Sequence, residues 1–159
     1  MRTIQRDIVL ALIFSKDGKL FQGKKNPKEG GVYSSGIYSK CWHIPGGGVN
    51  SGEDEKAALI REILEETDVD ISNYPIELID DEGSGESEKI LKDTGEKVLC
   101  QMKFKVFKVI IFDKNADEIS ISLKDDLAES RWTDLSELPS LELTPPSVVL
   151  FTRLGYLPK

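Results

Sequence analysis

One stretch of the sequence, from Trp42 to Val69, constrains the fold of this chain more than any other. It runs from a short apolar segment through the triplet Gly46–Gly48 into a segment that carries Glu62, Glu65 and Glu66. Residues three and four apart share a helix face, so an α-helix here would present the three carboxylates together. Such crowding of like charge costs stability unless a cation lies between them. An all-oxygen ligand set selects hard divalent cations, Mg²⁺ or Mn²⁺.

The rest of this predicted helix supplies an apolar face. At about 100° per residue, the apolar side chains are predicted to lie roughly opposite the carboxylates. They belong to Ala57, Ile60, Ile63 and Leu64. Ser51 is the predicted N-cap, with Asp54 three residues later in a weak capping box. Taken alone, Glu-x-x-Glu-Glu would favour an ordinary solvated acidic face, because short patterns arise often by chance.

The residues around the glutamates extend the pattern. Its members are Gly47, Glu53, Arg61, Glu62, Ile63, Glu65, Glu66 and Val69. At this spacing the stretch resembles the signature of the Nudix hydrolase family: Gly, five residues, Glu, seven residues, then Arg-Glu-aliphatic-x-Glu-Glu-x-Gly-aliphatic. Asp68 stands where the family has Gly, at a helix end where left-handed backbone is common. Asp tolerates that conformation, so we expect a small stability cost and no lost carboxylate.

The resemblance implies a fold, an activity and a set of roles. The fold is of the α/β class, a Nudix-type α/β/α sandwich with a mixed central sheet. The activity is hydrolysis of a nucleoside diphosphate linked to a further group, with Mg²⁺ as cofactor and Mn²⁺ as a substitute. The residues implied as metal ligands are the Gly46 carbonyl, Glu62, Glu65 and Glu66, of which the three glutamates also count as catalytic. Gly47 and Gly48 are implied near the substrate, and Glu53 with Arg61 as a structural pair.

Three further roles are less closely tied to the motif. Lys24 and Lys25 lie where family members often place a basic residue against substrate phosphate, although ordinary surface lysines explain them equally well. In some relatives the residue matching Glu62 is the general base, and in others a carboxylate in a later loop takes that role. Asp126 and Glu129 are the candidates for that carboxylate here.

The substrate is the open question. In overall size and in its short N-terminal segment the chain most resembles the family's triphosphate pyrophosphohydrolases, which implies (d)NTP as the substrate. The region Gly83–Lys89 holds neither the Pro nor the Tyr typical of ADP-ribose and dinucleoside-polyphosphate members, and Pro145-Pro146 is not followed by the Asn of oxidised-purine triphosphatases. A nucleotide-sugar or ADP-ribose-like hydrolase is the alternative. A non-catalytic, nucleotide-binding regulator is a second alternative, but such domains typically lose carboxylates that this chain keeps.

Length and charge limit the partners. The 159 residues predict a single domain spanning 1–159. A net charge of −7 argues against a nucleic acid polymer and leaves a small nucleotide as the expected partner, with a homodimer left open. The apolar run Ile8–Phe14 is too short to span a membrane, so we expect no membrane partner and a cytoplasmic location. Cys41 and Cys100 fit reduced thiols in that compartment.

The remaining elements follow from periodicity and turn residues. Ile8–Phe14 is predicted as a central strand buried on both faces, followed by a turn at Asp17-Gly18. The predicted later elements are a short strand Ile76–Ile79, a flexible loop Asp80–Ser87, a hairpin turn Asp93–Gly95, a long strand Val98–Phe112, a strand Ile119–Leu123, a late strand ending at Trp132 and a final helix that begins near Thr144.

Overall fold

The computed structural model describes residues 1–25, 40–124 and 127–159. In chain order its elements are β1 (Arg2–Ser15), β2 (Leu20–Lys25), β3 (Gly46–Gly48), α1 (Glu55–Thr67), β4 (Ile76–Ile90), β5 (Lys97–Ile111), β6 (Leu127–Thr133) and α2 (Pro145–Arg153). Two short 3-10 helices, Ala116–Glu118 and Leu135–Ser140, flank β6 in the sequence. No helix of the described residues is both long and apolar enough to cross a membrane.

The strands form one mixed sheet around β1. Their order is β4-β5-β1-β2-β6, and β3 pairs separately with β1. β1 and β5 are parallel over their full length, from Arg2 opposite Val98 to Ser15 opposite Ile111, whereas the other pairs are antiparallel. A strand with neighbours on both sides and layers on both faces needs a continuous apolar run. This is why Ile8–Phe14 lies at the centre, as the sequence predicted.

One helix covers each face of the sheet. On one face Val9, Ala11 and Ile13 pack with the buried side of α1. On the other, Leu12 and Phe14 pack with α2. Alternation along β1 thus feeds two separate cores, and each fully buried aliphatic or aromatic side chain contributes about 1.5–3 kcal/mol. The α/β class and the sandwich with a mixed sheet are confirmed.

The prediction that Asp80–Ser87 form a flexible loop is wrong. These residues continue β4, which pairs with β5 along its length through register shifts on either side of Asp80. An edge strand needs no hydrophobic alternation, because its main chain is held by hydrogen bonds to the neighbouring strand. Asp80 also accepts hydrogen bonds from Arg153 of α2, with the closest N–O distance 2.6 Å, which ties the edge of the sheet to the helix layer.

The prediction that the segment Ile119–Leu123 forms a strand is also wrong. It follows the 3-10 helix as extended chain outside the strands of the sheet. Ile119 and Ile121 still pack against the core, which explains the alternation. The amides of Ser122 and Lys124 donate to the carbonyls of Thr67 and Glu66, so the segment satisfies the C-terminal end of α1.

α1 differs from the prediction in its cap and in its packed face. Its N-cap is Asp54, whose carboxylate accepts the amide of Ala57, rather than Ser51. Ala57 is exposed and Leu64 is 42% exposed. The side chains that face the sheet are Ala58, Leu59, Ile63, Glu66 and Thr67. Glu66 therefore lies beside the packed face rather than opposite it, because the amide of Gly46 donates a hydrogen bond to its carboxylate there.

The helix ends and turns follow local chemistry. Asp68 ends α1 in the left-handed conformation, at φ 64° and ψ 18°, and its carboxylate pairs with Lys124. Gly18, in the first turn, and Gly95, in the hairpin between β4 and β5, both take positive φ. Thr144 is the N-cap residue of α2, with prolines in the first turn. The predictions for these turns and for α2 are confirmed.

Candidate active site

The glycine strand β3 lies between β1 and α1, and two carboxylates of the helix approach it. The amide of Gly46 donates to the Glu66 carboxylate at 2.9 Å, and Glu66 is only 3% exposed. A Cβ atom on Gly47 would overlap the carboxylate of Glu62. Gly47 is therefore required here by the close approach of an acidic group, which is one reason for a glycine in a strand.

Arg61 connects the loop before α1 to the glycine strand. Its guanidinium donates to Glu53 at 2.8 and 2.9 Å and to the carbonyl of Gly48 at 3.0 Å. It also donates to Glu62 at 3.0 Å, and it lies 3.4 Å from Glu65. Hydrogen bonds from Arg61 lower the pKa of Glu53 to about 2, and those to Glu53 raise the pKa of Arg61 further above its ordinary value. The two residues thus hold the loop against the helix.

The three glutamates of α1 do not converge on one point. Glu62 and Glu66 face β3, whereas Glu65 is 47% exposed on the outer side of Arg61. Across residues 1–25, 40–124 and 127–159, no three His, Cys, Asp or Glu side chains form a metal-ligand cluster. Like charges separate when each can pair with a donor, here the Arg61 guanidinium or a backbone amide.

The donor set nonetheless suits a hard divalent cation. Glu62 and Glu66 bring carboxylate oxygens to the glycine strand, and Glu65 lies on the same helix, 3.4 Å from the Arg61 guanidinium. All of these donors are oxygens, the ligand type that Mg²⁺ and Mn²⁺ prefer. The residues that could hold such an ion are those that the motif suggested.

Lys24 and Glu129 form a separate group at the β2–β6 edge. They are cross-strand partners, 3.8 Å apart, and the side chain of Glu129 is 63% exposed. The Lys24 ammonium lies 4.5 Å from the centre of the Trp42 ring, and the Arg131 guanidinium lies 5.5 Å from it. Two cations around one indole concentrate positive charge at this edge, beside the point where the chain enters β3.

Two of the predicted residues contribute less to this picture. Lys25 is exposed at the end of β2. Asp126 lies outside the described residues, as does the loop 26–39.

His43, the single histidine, hydrogen-bonds the carbonyl of Ile44 through Nδ1 at 2.9 Å, and its backbone pairs with Gly23.

Sequence reasoning missed three residues around the glycine strand: Arg6, Trp42 and Arg131. A Cβ atom on Gly48 would overlap the Arg6 guanidinium, so this side chain lies against the glycine strand. Arg6 precedes the apolar run of β1 at an alternating position, a signal too common to single it out. Trp42 and Arg131 are 89 positions apart in the sequence and meet only through the sheet.

The family comparison identifies the chain. A model of the NUDIX domain matches residues 5–154. The chain belongs to the Nudix family. This match covers nearly the whole sequence, so the motif and the surrounding sheet belong to one family unit. The predicted enzyme class, a Nudix-type hydrolase of pyrophosphate bonds, agrees with this membership.

This Nudix chain is similar to proteins named as pyrophosphohydrolases and as MutT. An RNA pyrophosphohydrolase of Wolbachia pipientis is 37% identical over 65 residues, which span 41% of this chain and about a third of that protein. MutT studied from Aliivibrio salmonicida and Vibrio cholerae shares the fold, with a TM-score of 0.63 and 18% identity over 95% of this chain and 97% of that one. The Escherichia coli dihydroneopterin triphosphate pyrophosphohydrolase gives 0.62 and 17% identity, covering 92% of each chain.

Proposed function

We propose that this protein, acting as a single domain over residues 1–159, hydrolyses a pyrophosphate bond in a small nucleotide with Mg²⁺ as cofactor. The substrate class that we favour is a nucleoside or deoxynucleoside triphosphate. The observation that carries the proposal is the approach of Glu62 and Glu66 to the glycine strand, held by Arg61. This arrangement places oxygen donors beside the backbone of a strand whose glycines carry no side chains of their own.

The proposed ligands of the metal are the Gly46 carbonyl and the carboxylates of Glu62, Glu65 and Glu66. A bound divalent ion would neutralise phosphate oxygens and acidify bound water. The chain itself contributes position and charge. Arg61 orients Glu62 and the Gly46 amide fixes Glu66. Because Gly47 and Gly48 have no side chains, charged groups can approach the backbone of β3 closely.

Three carboxylates are candidates for the general base. Glu62 lies against Gly47 and is held by Arg61, so it is the better positioned of the described carboxylates. Glu129 is exposed and pairs with Lys24 on another edge of the sheet, and Asp126 is the remaining candidate. We therefore favour Glu62 as the base. Lys24 and Lys25 are proposed to contact substrate phosphate from the β2 side.

Two features support a free triphosphate as the substrate. The curated relative and one structural neighbour are named as pyrophosphohydrolases, one of RNA and one of a pterin triphosphate. Both names place a chain of phosphates in the substrate. The net charge of −7 favours a free nucleotide over an RNA polymer, because a polyanion would be repelled along its length.

The first experiment measures phosphate and pyrophosphate release from a panel of substrates, with Mg²⁺ and with EDTA. The panel holds canonical and damaged triphosphates, a 5′-triphosphorylated RNA, nucleotide sugars, ADP-ribose and dinucleoside polyphosphates. We expect Mg²⁺-dependent turnover of the free triphosphates. Turnover of ADP-ribose or a nucleotide sugar instead would move the substrate to the alternative class. Tight nucleotide binding without turnover would indicate a regulator.

The matched variants are Glu65→Gln with Glu66→Gln, and Glu55→Gln as the control. Glu55 lies in the first turn of the same helix and pairs with Lys105 at 2.7 Å, away from β3. We expect the double variant to lose at least about 100-fold in turnover while its melting temperature stays near the wild-type value, because Gln keeps the shape and weakens metal binding. Near-normal Mg²⁺-dependent activity in the double variant would refute the metal site.

A further inference from the structure

Arg6 differs from the other four arginines in having no acidic partner among the residues that the structure describes. Four of the five arginines are at ion-pair distance from a carboxylate, in the pairs Arg2–Glu96, Arg61–Glu53, Arg131–Glu137 and Arg153–Asp80. Within the part of the chain that the structure describes, Arg6 has no carboxylate at that distance, although it is half-buried. Partial burial of an unpaired charge costs free energy, so a partner from outside the chain is the natural complement.

The neighbouring acid does not supply that partner. Side chains alternate along a strand, so Asp7 faces the α1 side of the sheet while Arg6 faces the α2 side. The charge of Asp7 acts on Lys105, which pairs with Glu55 of α1. Arg6 shares its face with Ile8 and Leu10, and Leu10 packs at the border of the core under α2. The guanidinium thus lies where the α2 face of the sheet continues along β1 beyond Leu10.

The surface around Arg6 is apolar. In the β1–β5 ladder Arg6 is opposite Met102 and Ile8 is opposite Phe104. On the far side of β5 the strand β4 contributes Gly85, where a Cβ atom would lie 3.3 Å from the Phe104 ring and 3.8 Å from Met102. Gly85 thus lies against the edge of this ring and adds no side chain of its own. A guanidinium beside such a surface binds an anion more strongly than one in open water.

The glycine strand separates Arg6 from the carboxylates. A Cβ on Gly47 would overlap Glu62, and a Cβ on Gly48 would overlap Arg6. Consecutive strand residues point to opposite faces, so an acidic and a basic group flank the same short backbone, on the order of 10 Å apart. A chain of two or three phosphates with its metal ion is long enough to span that distance.

We propose that Arg6 binds a phosphate of the substrate from the side of the glycine strand opposite Glu62. A guanidinium presents a planar fork of N–H donors that matches two phosphate oxygens. Arg6 would then fix the end of the phosphate chain while the glutamates hold the metal. This assignment rests on the proposed function, since it takes its ligand class from there. Arg6 is a binding residue, and it takes no part in proton transfer.

The test compares Arg6→Met and Arg6→Lys with Arg2→Met as the matched control. Methionine keeps an apolar stem on Ile8 and Met102, so a purely packing role would survive the change. Arg2 lies on the same strand but is exposed and paired with Glu96. For each protein we would measure kcat and KM on the triphosphate that the wild type hydrolyses, the melting temperature, and the dissociation constant for inorganic pyrophosphate with Mg²⁺ by calorimetry.

We expect Arg6→Met to raise KM and the pyrophosphate dissociation constant by about tenfold or more, with kcat within about threefold. The KM and the pyrophosphate dissociation constant of Arg6→Lys should lie between those of the wild type and Arg6→Met, and those of Arg2→Met should match the wild type. Unchanged KM and pyrophosphate affinity in Arg6→Met would overturn the assignment and leave the hydrolase proposal standing.

The pyrophosphate measurement also tests the role of Arg6 in the case where the hydrolase proposal fails. If the wild type binds pyrophosphate but hydrolyses no substrate, weaker binding by Arg6→Met would support the role of Arg6 while the hydrolase proposal fails. If the wild type neither binds pyrophosphate nor hydrolyses any substrate, both proposals fail.

Discussion

Three consecutive glycines are required by three different neighbours. A Cβ atom on Gly46 would overlap the carbonyl of Val9 in β1, one on Gly47 would overlap Glu62, and one on Gly48 would overlap Arg6. The first glycine is thus needed for strand pairing, and the other two for charged side chains. At the scale of single residues, the site therefore depends on the lack of side chains at these glycines as much as on its charged side chains.

Gly47→Ala tests this point directly. The added methyl occupies the space of the Glu62 carboxylate and must displace it, because the backbone on the other side is held by β1. Displacing a catalytic group by about 1 Å costs on the order of 100-fold in rate, so we expect kcat to fall by at least that factor. The measurement is steady-state kinetics beside a thermal melt.

Gly85→Ala is the control for Gly47→Ala. Its Cβ would meet the edge of the Phe104 ring at 3.3 Å, a contact that a small ring movement relieves. It should retain kcat close to the wild-type value. If Gly47→Ala also kept its rate, Glu62 would not need its present position.

The elements of this fold could be predicted where their own side-chain pattern determines them, and could not be predicted where contacts with distant strands do. The run Ile8–Phe14 predicted β1 because a doubly covered strand must be apolar throughout. β4 could not be predicted through Asp80–Ser87, since hydrogen bonds from a neighbouring strand hold it and leave no pattern in its own side chains. Ile119–Leu123 alternates because one side packs on the core, and alternation alone does not supply a partner strand.

The site shows the same division. The spacing of the glutamates predicted α1 and their common helix, but Glu66 was assigned to the wrong side. Its burial depends on the amide of Gly46, which is 20 residues earlier in the sequence. The contact of Lys24 and Arg131 with Trp42 likewise depends on strands that pair only in the folded sheet.

The junction between the loop and α1 should show itself in the pH dependence of stability. Hydrogen bonds from Arg61 lower the pKa of Glu53 from 4.5 to about 2. Above pH 4.5 the carboxylate is ionised in both states, and its stabilisation of the fold is fully present. As the pH falls toward 2 the unfolded state takes up the proton first, so this contribution is progressively lost.

Glu53→Gln removes this contribution at every pH. We expect the difference in the free energy of unfolding between wild type and Glu53→Gln to be constant above pH 5 and to shrink between pH 5 and 3. Chemical denaturation at each pH measures it. The Arg61→Gln variant serves as the comparison, since without the cation the same portion of the pH dependence should vanish. A difference that stayed constant down to pH 3 would show that Arg61 does not hold Glu53 ionised.

The whole molecule is organised around a pairing between distant parts of the chain. Every residue of β1 lies opposite a β5 residue 96 positions later. β5 also supplies Val106, Phe107 and Val109 to the two cores. Both layers of the sandwich therefore depend on a strand that comes after α1 and β4 in sequence.

A fragment of residues 1–96 should accordingly fail to fold. It holds β1, β2, β3, α1 and β4 but lacks the strand between β1 and β4, so most of its apolar side chains would stay in contact with water. Circular dichroism should show no cooperative thermal transition for the fragment, in contrast to the full chain. A sharp melting transition in the fragment would mean that β1 and α1 form a stable core without β5.

The same pairing has a consequence for synthesis. A ribosome adds about 5–20 residues per second, so β1 waits about 5–20 seconds before its partner is made. Throughout that interval the nascent chain displays the apolar run Ile8–Phe14 with one of its neighbouring strands missing. The moment at which Lys97–Ile111 leaves the ribosome sets the earliest time at which β1 can have all of its neighbouring strands, and the sheet is complete only once β6 has followed.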